Sequence, residues 1–394
     1  DIKLATLSDT DDTDVVGGNE ITNGDAWSGA SSSQSSTPPT GWTGEGGATW
    51  ATESGGDGSY IRLYNENNGG AGPNSYMHQT ITTVVGKKYT ISATQYHHAT
   101  ITVYVSAGTG AGVGNLLTIQ YNSSSGDTPK EVQGTFTATG TTTYINLGIV
   151  SGTHNYSVGW DNIVVTESEQ DRSVNGNGIQ VLGTITKTAV ATGADLVGYS
   201  GFSSSNYLEQ PYNTDLDFGT GNFCVMGWIK PNTESAHHGI VNRMDSGSGA
   251  GFLLEHRIGG QILLQTDDGT TVSNLFTATD VSLSTWTHFC AMVKDSGTHL
   301  EWYLNGDFNS TATVTGRNVS NTSAVCRIGE KVTESRPLDG SLALLRISAT
   351  VPTAEQIKKI YKDEKFLFTE NAKATLYGSS DAVTALAYDD DTEL

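Results

Sequence analysis

The side chains of this chain best suited to chemistry are aromatic. Trp42, Trp50, Tyr76, Tyr96 and Tyr104 are spread through a stretch rich in Ser, Gly and Thr. The apolar C–H face of a sugar ring stacks on an indole or phenol, while nearby amides and acids bond its hydroxyls. These five are therefore candidate carbohydrate platforms. The competing reading packs each of them into a core or a subunit interface. His237 and Arg243, with His238 and Arg336, fall in segments read as loops and join the candidate sugar contacts.

Catalytic arrangements do not assemble from the sequence. Glycoside hydrolysis needs two carboxyl groups about 5–9 Å apart across the scissile bond. No strand carries the alternating acids that would supply them, and the run Gly251-Phe-Leu-Leu-Glu-His-Arg offers Glu255 alone. Neither a Gly-x-Ser-x-Gly elbow nor a phosphate loop with Gly-Lys-Ser/Thr is present. The pairs His97-His98 and His237-His238 invite a metal, but neighbours on a strand point to opposite faces and do not share one ion. The expectation is a protein that is not an enzyme.

The elements that must position these residues are strands. The 394 residues include 47 Gly, with 36% hydrophobic and only 16% charged residues. Many tight turns and period-two segments follow from that composition. Asp and Glu number 42 against 21 Lys and Arg, a formal net charge of −21. Such a surface repels phosphate backbones and anionic lipid, so no nucleic acid is expected as a partner. No apolar run approaches the roughly 20 residues of a membrane span. Cys224, Cys290 and Cys326 each sit in an apolar run, which predicts three buried thiols rather than a disulfide framework.

Patterning divides the chain into a lead or linker over 1–20, a first sandwich over 21–168, a connector over 169–195, a second sandwich over 196–368, and the start of a further segment over 369–394. The first holds about eight alternating strands, from Tyr60-Ile-Arg-Leu-Tyr to Gly159-Trp-Asp-Asn-Ile-Val-Val. In the second, Asp268-Gly269 and Asn305-Gly306 predict type I′ hairpin turns. Thr353 and Gln356 predict a capping box opening a helix whose Ile357, Ile360 and Tyr361 form one apolar stripe. The fold class expected is all-β: two tandem antiparallel jelly-roll sandwiches with one short C-terminal helix. The chain starts at Asp1, not Met, and is read as processed, trimmed or a fragment.

Residues 196–368 resemble the concanavalin A-like, laminin-G-like jelly roll. The residues that carry this are Tyr207-Leu, Phe218 through Trp228-Ile-Lys, Gly251-Phe-Leu-Leu, Trp286-Thr-His, Tyr303-Leu-Asn-Gly and Leu338-Asp-Gly-Ser-Leu-Ala-Leu-Leu-Arg-Ile. Ala343 stands where many relatives carry Asp, a departure that counts against calcium in this half. The same stretch, with Asp171-Arg-Ser before it and Ala374-Thr-Leu-Tyr-Gly-Ser-Ser-Asp after it, resembles lectin-like modules of marine bacteriophage tail fibre and other virion proteins. Residues 21–168 resemble galactose-binding-like carbohydrate-binding modules through Asn23-Gly-Asp, Gly86-Lys-Lys-Tyr-Thr-Ile-Ser, Gly134-Thr-Phe-Thr-Ala-Thr and Trp160-Asp-Asn-Ile-Val-Val. That likeness implies a structural calcium where the first and last strands meet, with Asp25 and Asp161 as its carboxylates. Together the resemblances imply glycan binding for host adhesion at a virion surface, host cell-surface glycans and other virion proteins as partners, and a homo-oligomer, a trimer by analogy with phage fibres. The alternatives are a structural spacer, or accessory modules of a secreted polysaccharide-degrading enzyme.

Overall fold

The computed structural model describes residues 2–6, 14–16, 19–25, 27–55, 58–65, 75–97, 101–123, 129–150, 156–169, 173, 178–244, 249–332 and 334–372. The acidic run over 9–13, His98, Asp171-Arg172 and the segment from 373 onward lie outside them, as does the side chain of His97. Among the described residues the fold is strand throughout except for one α-helix, Ala354–Lys365, and two single turns of 3-10 helix. No helix there is long and apolar enough to cross a membrane.

Three antiparallel sheets make two cores. A five-stranded sheet (Thr43–Glu45, Ser75–Thr82, Thr142–Ile149, Ile101–Gly108, Leu117–Ser123) closes one side of the first sandwich. A nine-stranded sheet centred on Phe223–Pro231 and Thr287–Lys294 closes one side of the second. The opposing layer of both is a single twelve-stranded sheet. It runs from Lys130–Thr137 through Lys88–His97, Ser157–Glu169, Ile179–Leu182 and Tyr207–Gln210 to Val272–Phe276. The join is short: Ser168 pairs with Gln180 and Glu169 with Ile179. Period-two alternation fills one core with Ile61, Met77, Val105, Leu147 and Trp160 and the other with Phe223, Phe252, Leu254, Phe289 and Trp302.

Both connecting parts of the chain supply strands to the second sandwich. Residues 1–20, read as a lead, contribute Ile2–Ala5, which pairs with Gly340–Ser348, and Asp14–Val16, which pairs with Thr184–Ala189. Leu4 is fully buried in the second core, so the alternating run Ile2-Lys-Leu-Ala pairs because its apolar face has somewhere to go. Residues 169–195, read as a connector, supply Ile179–Leu182 and Thr184–Ala189 to the two sheets of the second sandwich.

The turn and cap readings fare unevenly. Asn305 and Gly306 both have positive φ, 51° and 76°, as a type I′ turn requires. At Asp268-Gly269 only the glycine does, at 84°. There the Asp268 carboxylate instead accepts the Thr270 and Thr271 amides at 3.0 and 2.8 Å, a side-chain turn that replaces the backbone one. Thr353 caps the helix, with Gln356 N–H donating to its hydroxyl at 3.2 Å and its own N–H donating to the Gln356 side chain at 2.8 Å. The helix seats Ile357 on Cys224, Met226, Cys290 and Met292, and Trp228 donates to Glu364 at 2.7 Å. All three cysteines are free and buried.

Candidate functional site

The outer face of the five-stranded sheet brings aromatic and titratable groups together. Met77 and Ile81 point into the core, so alternation turns Tyr76, His78 and Thr80 outward. Across the ladders Asn146 sits opposite His78, Gly148 opposite Tyr76 and Tyr144 opposite Thr80, while Thr43 and Glu45 flank His78 and Tyr76 from the edge strand. The His78 ring lies 6.0 Å from Tyr76 and 5.6 Å from Tyr144, tilted 41° and 44° to them. Both tyrosines are half-buried. His78 is only 8% exposed, and its Nδ1 has no hydrogen-bond partner among the described residues. Burial lowers the His78 pKa, with Glu45 pulling the other way, so the ring is neutral at pH 7. Burial, then Glu45, pushes the Tyr76 phenol up.

A loop frames this patch. The Gly112 amide donates to Asn146 Oδ1 at 2.7 Å, and Asn146 Nδ2 donates to the Val113 carbonyl at 3.2 Å. Gly112, with φ +68°, rests on Tyr76, where a Cβ would come within 2.9 Å of Cζ. On Gly148 a Cβ would stand 2.7 Å from both Tyr104 Cε1 and Tyr76 Cβ, so that glycine makes room for the two rings. Tyr104 shares this outer face, since Val103 and Val105 fill the core, but is 6% exposed and packs beside Tyr76 across Gly148.

The other candidates scatter. Trp42 and Trp50 do not offer platforms: they are 4% and 1% exposed and belong to the first core. Trp42 donates to the Asn23 carbonyl at 3.0 Å and Trp50 to that of Thr37. The Gly-rich segment wraps its own indoles because each removes a large apolar area from water and still finds an acceptor for its N–H. Tyr96 lies on the other sheet, stacked on Tyr60 at 4.3 Å and 10°. Arg243 is in a strand rather than a loop and is 1% exposed. Its guanidinium donates to the carbonyls of Val319 and Asn321 at 3.4 and 3.2 Å and stands 3.8 Å from Asp217, so it holds a loop and meets no ligand. Asp25 is exposed and Asp161 fully buried, receiving the Trp27 indole N–H at 3.1 Å. The Ile163 amide donates to Gly24 O at 3.0 Å, which ties the Asp25 loop to the strand of Asp161. No group of three or more His, Cys, Asp and Glu gathers for a metal among the described residues.

His237 is half-buried and lines a separate cleft of about 500 Å³ with Asn232, His238, Arg336 and Asp339. His238 Nδ1 donates to the Pro337 carbonyl at 2.7 Å. Behind it Glu255, with no exposed surface, meets Arg336 at 2.6 Å and also Arg257. Burial pulls the Glu255 carboxyl up, but the two arginines win and hold it below its ordinary value.

Strand order, turns and closing helix now stand together for the second sandwich. Residues 202–358 match the family model of the concanavalin A-like lectin/glucanases superfamily. No curated protein matches the chain. Among solved structures, the receptor-binding domain of botulinum neurotoxin C/D mosaic serotype shares 15% identity over 50% of this chain and 48% of its own, with a TM-score of 0.41. The binding domain of Paraclostridial Mosquitocidal Protein 1 gives 15%, 49%, 49% and 0.41. The Ruminococcus gnavus IT-sialidase CBM40, bound to alpha2,3 sialyllactose, gives 12%, 36%, 82% and 0.32. The chain spans about half the length of the toxin chains it matches.

Sequence reasoning missed His78, Tyr144 and Glu45. The signal was present in the alternation Tyr76-Met-His-Gln, which puts His78 on the face of Tyr76. Glu45 and Tyr144 could be joined to it only through strand pairing that no local pattern gives.

Proposed function

We propose that the chain binds glycans without turning them over, through the Tyr76–His78–Tyr144 patch. The supporting observation is a nearly buried, neutral imidazole between two half-buried phenol rings on the outer face of the sheet, with the exposed Glu45 on the neighbouring edge strand. A pyranose would lay its C–H face on a tyrosine and offer hydroxyls to the tyrosine hydroxyls and the Glu45 carboxylate. The resemblance of residues 21–168 to galactose-binding-like modules points the same way. Absence of turnover is supported by Glu255, which two arginines keep ionised and therefore unfit as a general acid.

The setting proposed is host adhesion from a virion surface, as a homo-oligomer whose weak sites add by avidity; the likeness to phage tail fibre modules supports it. A structural calcium at Asp25 and Asp161 belongs to the same reading, supported by the hydrogen bond that ties their two segments together. Its check is a melting temperature that rises with added calcium and no longer does so in Asp25→Asn.

A glycan array with the intact chain, followed by calorimetry, tests the main reading. Tyr76→Ala, Tyr144→Ala and His78→Ala should each weaken binding by roughly tenfold, the scale of one aromatic contact. Unchanged affinity in all three folded variants would sink it, and released oligosaccharide would overturn the absence of catalysis.

A further inference from the structure

Where the two sandwiches join, the shared sheet forms the floor of a groove of about 940 Å³. We propose that this groove is a second glycan site, that it takes an extended, uncharged oligosaccharide, and that it exists only while the two sandwiches are held together. It does not depend on the Tyr76–Tyr144 patch, which lies on a different sheet.

The floor crosses five neighbouring strands, from Lys130–Thr137 to Tyr207–Gln210. At about 4.8 Å per strand that is about 19 Å, room for a chain of sugars rather than one ring. The volume is at the upper end for ligand clefts, which run from about 300 to 1,000 Å³. Both sandwiches supply side chains: Thr94, Glu131 and Asn162 from the first, Gln180, Glu209 and Tyr212 from the second or the join.

These groups are already set in place. Thr94 Oγ1 donates to Glu131 Oε1 at 2.7 Å and accepts from Asn162 Nδ2 at 3.4 Å. Gln180 Nε2 donates to Ser92 Oγ at 3.3 Å. Amides and hydroxyls so arranged keep further donors and acceptors for sugar hydroxyls. Between them Val164, Leu182 and the Tyr212 ring offer apolar surface to C–H faces. The far wall, Thr322 and Ser323, is fixed from behind: Arg243 holds the Asn321 carbonyl at 3.2 Å, and Asn321 Oδ1 accepts the Ser323 and Ala324 amides at 3.0 and 3.1 Å.

Charge decides the ligand class. Lys130 lines the groove with Glu131 and Glu209, and Arg327 is bonded to Glu209 at 2.8 Å. Among the described residues these charges balance and leave no surplus of cations for a sialic or uronic acid, while the chain as a whole carries −21. A polyanion would meet repulsion without a compensating arginine.

The join depends on Gly178. Its φ is +77°, and a Cβ there would stand 2.5 Å from Thr135 Oγ1 and 2.7 Å from Thr90 Oγ1. Gln210, with no exposed surface, donates to its carbonyl at 3.2 Å. A side chain at this point would wedge the sandwiches apart.

The test is calorimetry on the intact chain with cellohexaose, xylohexaose, mannohexaose and laminarihexaose, their disaccharides, and hexagalacturonate. At least one neutral hexasaccharide should bind tenfold or more tightly than its disaccharide. That binding should fall at least tenfold in Asn162→Ala/Gln180→Ala, in Thr322→Trp, which fills the groove from its exposed rim, and in Gly178→Val. It should persist in Tyr76→Ala/Tyr144→Ala, so failure here and failure of the patch are read separately. The proposal is overturned if none of the four hexasaccharides binds, or if both Asn162→Ala/Gln180→Ala and Thr322→Trp bind as the parent does. Hexagalacturonate binding as tightly as the best neutral chain would overturn the charge argument.

Discussion

At the scale of single residues, burial separates histidines that can meet a ligand from those that cannot. His78 keeps 8% exposure on the outer face of its sheet, between two half-buried rings, whereas His256 and His288 have no exposed surface and no partner for either nitrogen among the described residues. Burial, then His238, takes His256 from 6.5 to about 4, and burial, then Arg346, takes His288 to about 3. Both are therefore neutral in the fold and protonate in the unfolded chain at about 6.5. Their contribution to stability is complete above pH 6.5 and declines as pH falls toward their folded values. Between pH 6.5 and 5 each should cost about 2 kcal/mol, at 1.36 kcal/mol per pH unit. Urea unfolding at pH 7.5 and 5 should show that loss shrinking by about this amount in His256→Leu. Burial also reassigns the tryptophans. Trp50→Ala should cost about 3–5 kcal/mol as a core truncation, seen as a lower melting temperature, while the molecules that remain folded bind glycan with unchanged affinity.

At the scale of elements, local chemistry was legible and pairing was not. Thr353 and Gln356 announced their cap, and Thr353→Ala should cost about 1 kcal/mol, measured as a shift in the urea midpoint. Asn305-Gly306 announced its turn because both residues tolerate positive φ. Asp268-Gly269 looked the same in sequence, yet Asp268 spends its carboxylate on two amides, a choice no dipeptide rule separates. The strands around Tyr76 and Tyr144 were readable one by one from alternation. That they lie together, with His78 between them, depends on a ladder joining segments some seventy residues apart. The groove lay further out of reach, since its two walls come from different sandwiches.

At the scale of the whole molecule, the twelve-stranded sheet makes the two sandwiches share one layer, which two separately read jelly rolls do not suggest. The strand Ile2–Ala5 completes the second sandwich by pairing with Gly340–Ser348. Removing residues 1–6 should take away the burial of Leu4, about 1.5–3 kcal/mol for a core side chain, and calorimetry should show the second sandwich melting at a lower temperature than it does in the intact chain. That pairing also imposes an order on synthesis. A ribosome releases Ile2 before the first sandwich, and its partner Ser348 only after that whole sandwich has emerged. The first sandwich can thus condense while the opening strand waits, its apolar edge unsheltered, for a partner still to be translated. Closing so distant a contact is slow, so the interval in which a nascent chain needs a chaperone, or risks pairing with its neighbour on a polysome, is written into which strand meets which.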